Sequence, residues 1–102
     1  MSNMHLSVEI GDSGSPLEPI KKGFGRGLKA AGEANEKVVG LCADLTASTG
    51  MDLFQAAFPK RYFGTGIAEQ NLVTTSSGLA HMGYIPFCSS YAAFSPGRNW
   101  EQ

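Results

Sequence analysis

In the stretch RYFGTGIAEQN, Arg61 to Asn71, one acid, Glu69, stands in an otherwise apolar, glycine-rich turn that opens a helix. A carboxyl in such a place either meets a ligand or caps its helix electrostatically, a contact that stabilises by about 0.3 to 1 kcal/mol. A second acid, Asp44, follows the apolar run Val38 to Cys42. Both acids therefore sit where strands finish and loops begin, and in an open α/β sheet that edge is where ligands bind. Other reactive residue types offer less. His5 and His81 lack partners at metal-ligand spacing, so no metal site built by this chain alone is expected. Gly23, Gly25 and Gly27 precede the first strand and lack the lysine and hydroxyl of a phosphate-binding loop, which makes them close-packing positions in a helix. Cys42 and Cys88 lie in apolar runs and are expected to be reduced, buried thiols.

The elements that must position these acids follow from hydrophobic spacing. Pro19 to Ala34 carries Ile20, Phe24, Leu28 and Ala31 at helical intervals. Val38 to Cys42 is continuous apolar sequence of the kind found in strands covered on both faces. Thr46 to Gly50 is a hydroxyl-rich loop, and a short helix from Asp52 is ended by Pro59. Tyr62 and Phe63 form a brief second strand. Ala68 to His81 is a helix with Leu72, Val73, Ser76, Leu79 and Ala80 facing inward, and Tyr84 to Cys88 is a third strand. Ser95, Pro96 and Gly97 make a turn that launches a helix around Asn99. Alternation of helix and strand predicts a three-layer αβα fold on a small parallel sheet. Residues 1–18 mix Gly, Ser, Pro and charges without periodicity and read as a flexible arm ahead of one domain at 19–102. With both sheet edges open, such a unit is expected to need a remainder or a partner.

Bulk properties exclude some functions. Eight Lys and Arg against nine Asp and Glu give a net charge of -1, so no polyanion such as nucleic acid is implied. No apolar run reaches the roughly 20 residues that span a bilayer, and the first residues lack a signal-like pattern, which makes the cytoplasm the expected address.

The segments ADLTAST (Ala43 to Thr49), FPKRYFGTGIAEQN (Phe58 to Asn71), GLAHMGYIPF (Gly78 to Phe87) and SSYAAFSPGRNWEQ (Ser89 to Gln102) resemble the pyrimidine-binding domain of transketolase. The likeness is strongest to the separate C-terminal subunit of split, archaeal-type forms, and spans roughly the first half of that domain. It implies a thiamine diphosphate enzyme that moves two-carbon ketol units between sugar phosphates, as in pentose phosphate metabolism. By the same resemblance Glu69 meets N1' of the cofactor's aminopyrimidine, where burial favours a carboxyl sharing a proton over a solvated anion. Tyr91 and Phe94 would enclose that ring, with packing in the core as their other reading. Asp44 would lie near the cofactor and a subunit interface, or else bond backbone amides in its turn. Ser48 and Lys21 match positions that hold the substrate phosphate, although lysine lacks the bidentate fork of the arginine usual there. Trp100 is expected as a core aromatic of the following helix.

The family's diphosphate and its divalent metal, Mg or Ca, are held by another domain carrying a GDG motif, absent from this sequence. The resemblance therefore implies partners, as a homo-oligomer, an N-terminal transketolase subunit or both, and an isolated chain without activity. Two other functions stay open: a truncated, non-catalytic oligomerisation or binding module, and a fragment of a deoxyxylulose-phosphate synthase or 2-oxo acid dehydrogenase subunit.

Overall fold

The run Val38 to Cys42 becomes the innermost element. A computed structural model describes Gly14 and residues 17–102, and in it this strand, β1 (Val38–Cys42), is buried at all five positions. It lies between β2 (Tyr62–Gly64) and β3 (Ile85–Ser89), parallel to both. Gly40 pairs with Tyr62 on one side and with Phe87 on the other. Because side chains alternate across a strand, β1 feeds two separate cores. Val38 and Cys42 pack with Leu28, Met51 and Phe54, whereas Val39, Leu41 and Ala43 pack with Leu72 and the half-buried Leu79.

The first core is closed by α1 (Ile20–Ala34) and α3 (Asp52–Ala57), the second by α4 (Glu69–His81). The α/β layering expected from the alternation is the one formed. Coverage is staggered. On the first face Tyr62 packs against the helical layer, but Ile85 and Phe87 of β3 stay 41% and 38% exposed. On the second face α4 covers β1 and packs against β3, while Phe63 of β2 remains 41% exposed.

Glycine sets the distance between α1 and its neighbours. A Cβ at Gly25 would collide with the carbonyl of Gly50, and one at Gly32 would lie 2.7 Å from the rings of Phe54 and Phe58. Close packing thus holds for Gly25, while Gly23 and Gly27 face open space, and Gly32 is a close-packing position that the sequence reading did not single out. The expected α1 stripe packs on the core through Phe24, Leu28 and Ala31, while Ile20, at the first position of the helix, is left 91% exposed.

Four further expectations are corrected. Thr46–Thr49 is a short helix, α2, rather than a loop; Gly50, at φ 85°, ends it. Residues 92–101 fold as successive turns instead of a regular helix, because Pro96 supplies no amide and Gly97 backs onto the Ala93 carbonyl. Trp100, expected in a core, is 80% exposed. Cys88, expected buried, is exposed, because the edge strand that carries it is open to solvent; Cys42 is buried as expected. The arm expected at 1–18 lies outside the described residues except at Gly14, Leu17 and Glu18, and Glu18 pairs with Arg26 at 2.6 Å.

Candidate functional site

All three strands run parallel, so their C-terminal ends share one edge of the sheet, and three connections leave from it. Behind β1 the chain turns at Asp44, which adopts a left-handed φ of 61°, a conformation that aspartate tolerates better than most residues. Behind β2, Thr65 donates its amide to the carbonyl of Cys42 (3.1 Å), and the chain passes through Gly66, at φ 70°, into α4. Behind β3 come Ser90, Tyr91 and the turns that carry Phe94, Arg98 and Asn99.

Glu69 opens α4, where no side chain caps the helix. It is 5% exposed, so its carboxyl needs compensation that the helix end alone supplies only in part. Two residues of the last turns meet it. Arg98 approaches Oε1 with Nη1 at 3.4 Å, and Asn99 donates Nδ2 to the Glu69 carbonyl at 3.1 Å and to Ser95 Oγ at 3.0 Å. Among the described residues Arg98 alone bonds the carboxyl, since Asn99 meets the main chain of Glu69. The Arg98 guanidinium also lies over the Phe94 ring, 4.3 Å from its centroid.

Asp44, Glu69, Phe94 and Arg98, with Ala43 and Ile67, line a cleft of about 250 Å³. The expected residues thus divide. Glu69, Asp44 and Phe94 come together. Tyr91 does not line this cleft; it stacks on Phe94, which does, with ring centroids 6.0 Å apart and planes inclined by 27°. Asp44 is exposed, and its carboxyl bonds no backbone amide among the described residues. Lys21 and Ser48 belong elsewhere. Lys21 donates to the carbonyl of Ala47 at 3.4 Å and borders a separate hollow of about 370 Å³ that shares no lining residue with the cleft, and Ser48 is exposed and borders neither.

The sequence reading passed over Arg98 and Asn99. The available signal was Arg98 itself, the single cation between Ile85 and Gln102, set beyond a strand whose end faces a buried acid. Among the described residues no group of three His, Cys, Asp or Glu is placed to hold a metal ion, and no helix is long and apolar enough to cross a membrane.

The segment that follows Asp44 is tied by hydroxyl bonds. Tyr62 Oη bonds Thr46 Oγ1, and Thr49 Oγ1 donates to the carbonyl of Leu45 at 2.9 Å. Burial pushes the Tyr62 phenol above its usual value of 10.0, partly offset by the Thr46 bond. An acid whose pKa rises on folding stabilises the fold below its unfolded value and loses that contribution as pH climbs through the folded one. Urea midpoints are therefore expected to fall as pH passes about 10, and Tyr62→Phe to flatten that alkaline limb. Equal slopes in the two proteins would show that Tyr62 has no part in it.

Comparison with known proteins places this arrangement. The model of the transketolase pyrimidine-binding domain matches residues 19–102. A relative assigned as a transketolase C-terminal section in Methanocaldococcus jannaschii is 44% identical over 82 residues, covering 80% of this chain and 26% of the relative. The solved structure of a split-gene transketolase in an inactive β4 tetramer superposes with a TM-score of 0.70 at 46% identity, over 79% of this chain and 27% of that one. The chain therefore spans about a quarter of the length of each. With a family match over residues 19–102 and an α/β fold shared with a split transketolase, this chain belongs to the transketolase family, through its pyrimidine-binding domain.

Proposed function

We propose that this chain is a component of a thiamine diphosphate-dependent transketolase and that Glu69 acts on the aminopyrimidine ring of the cofactor. One observation carries the reading: a carboxyl 5% exposed at the start of α4 forms a wall of an aromatic-flanked cleft at the C-terminal edge of a parallel sheet. The bound cofactor supplies a carbanion-stabilising centre for two-carbon transfer. Glu69 would share a proton with a ring nitrogen of the cofactor bound in the cleft. Phe94 offers a flat apolar face, and Tyr91 stacks on Phe94. Asp44 also lines the cleft.

The size of the cleft supports a division of labour. Sites that hold a whole ligand of cofactor size run from about 300 to 1,000 Å³, and about 250 Å³ suits a single heteroaromatic ring. The diphosphate and its divalent metal fall to a partner domain, as an N-terminal transketolase subunit or a further copy in an oligomer, and sugar phosphates are the substrates of the assembly. Lys21 and Ser48 have weaker support as phosphate ligands, since they do not share one hollow. The open faces of β2 and β3 equally suit an association module, which makes non-catalytic assembly the second reading.

Ketol transfer distinguishes the two. The chain alone is expected to give none, and the assembly with an N-terminal transketolase subunit is expected to give transfer that depends on Glu69. Phe94→Ala should raise the Kd of the assembly for thiamine diphosphate about tenfold, as expected for loss of a buried aromatic contact worth about 1 to 1.5 kcal/mol. Trp100→Ala, at an exposed position, should leave it unchanged. Transfer that survives removal of the Glu69 carboxyl would leave the association module as the better reading.

A further inference from the structure

The geometry points to Arg98 as a placeholder for the aminopyrimidine ring: a positioning residue whose guanidinium occupies both partners of that ring, Glu69 and Phe94, and leaves both when the ring enters. This inference rests on the proposed cofactor reading. The guanidinium is planar, carries donors along its edge and stacks on aromatic faces, which are the properties an aminopyrimidine would bring to the same place. It directs Nη1 to Glu69 Oε1 at 3.4 Å and lies 4.3 Å from the Phe94 centroid. A second planar group cannot stack on that part of the ring or approach that oxygen while it stays.

Arg98 also stands at a partition. It borders the cleft of about 250 Å³ and a neighbouring hollow of about 390 Å³, which hold Ile67 and Glu69 in common. Its side chain is 53% exposed, against 5% for Glu69. The two ends of the pair therefore respond differently to separation. Arg98 can swing into water at little cost, whereas Glu69 is left needing a new partner. Before the ring arrives, Arg98 keeps a buried carboxylate compensated. Once the ring is in place, it takes over both contacts and the guanidinium returns to solvent.

The consequence is that Arg98 competes with the cofactor. A stacked cation and a half-exposed ion pair are each modest contacts, so their prior occupation weakens binding by about 5- to 10-fold. Arg98→Met keeps the stem and removes the stacked cation. In the assembly with the diphosphate-holding subunit, titrated calorimetrically with thiamine diphosphate, the variant should bind about 5- to 10-fold tighter than wild type. Arg98→Lys, which retains the charge without the planar stack, should fall between. Matched melting temperatures confirm that the variants are folded; if Arg98→Met is not, Arg98→Lys in the same titration carries the test. Affinity equal to or weaker than wild type in the folded variants overturns the inference. Failure of the cofactor reading appears separately, as undiminished ketol transfer by Glu69→Gln.

Discussion

Glu69→Gln is expected to lower ketol transfer by the assembled enzyme by about 10²- to 10⁴-fold, the range typical for loss of a positioned proton-transfer group. A factor of 10² corresponds to about 2.7 kcal/mol of transition-state stabilisation. Glutamine preserves the volume of the side chain and can still accept a hydrogen bond, but it cannot share a proton with a ring nitrogen. The variant also loses its ion pair with Arg98, whose own end is 53% exposed, so folding stability should change by less than about 1 kcal/mol. A large loss of rate at nearly constant melting temperature is thus the signature of the proposed role. Glu69→Asp tests position instead of chemistry: the carboxyl survives but retreats by one methylene, and a misplacement of about 1 Å can itself cost about 10²-fold. Full activity in Glu69→Gln would sink the assignment.

Phe54→Ala is expected to destabilise the fold by about 3 to 5 kcal/mol, toward the upper end of that range. The ring is fully buried and fills a slot between two residues that have no side chains. A Cβ at Gly40 of β1 would sit 3.0 Å from its Cδ1, and one at Gly32 of α1 would sit 2.7 Å from its Cε2. Truncation leaves a cavity whose glycine walls cannot relax inward with side-chain atoms, and incomplete collapse is what makes such substitutions costly. Arg61 raises the stake, since its guanidinium lies 3.9 Å from the Phe58 centroid and 5.8 Å from that of Phe54 while donating to the carbonyls of Gly32, Asn35 and Val38. Set against about 5 to 15 kcal/mol for a typical domain, the loss should be plain in urea denaturation. Phe63→Ala, on the open face of β2, is the control and should cost far less. Similar losses in both would show that the slot has no special weight.

Much of this architecture is legible in the residues. The unbroken apolar run Val38 to Cys42 announces a strand buried on both faces, and the alternation around it leads to a parallel sheet. Glu69 is conspicuous because an acid in an apolar glycine-rich turn requires explanation. What stayed hidden depends on tertiary neighbours. Gly32 is one small residue in a helix until two phenylalanine rings are placed against it. Trp100 has the composition of a core residue, yet the turns of residues 92–101 leave it outside. Arg98 lies 29 positions from Glu69, and no local pattern joins them. Thr46–Thr49 was obscured for another reason: hydroxyl residues suggest a loop, but Thr49 Oγ1 satisfies the carbonyl of Leu45 from within a helical turn.

The central place of β1 also governs the order in which the chain can take shape as it leaves the ribosome. The innermost strand is made before either of its neighbours, and each parallel pairing must wait for an intervening helical segment to be translated. Until Tyr62–Gly64 emerges, the nascent strand has only helical segments to lean on, through the cluster of Val38 and Cys42 with Leu28, Met51 and Phe54. Pairings that close long loops are slow to form, so newborn copies pass through a vulnerable interval with their most apolar segment unpaired.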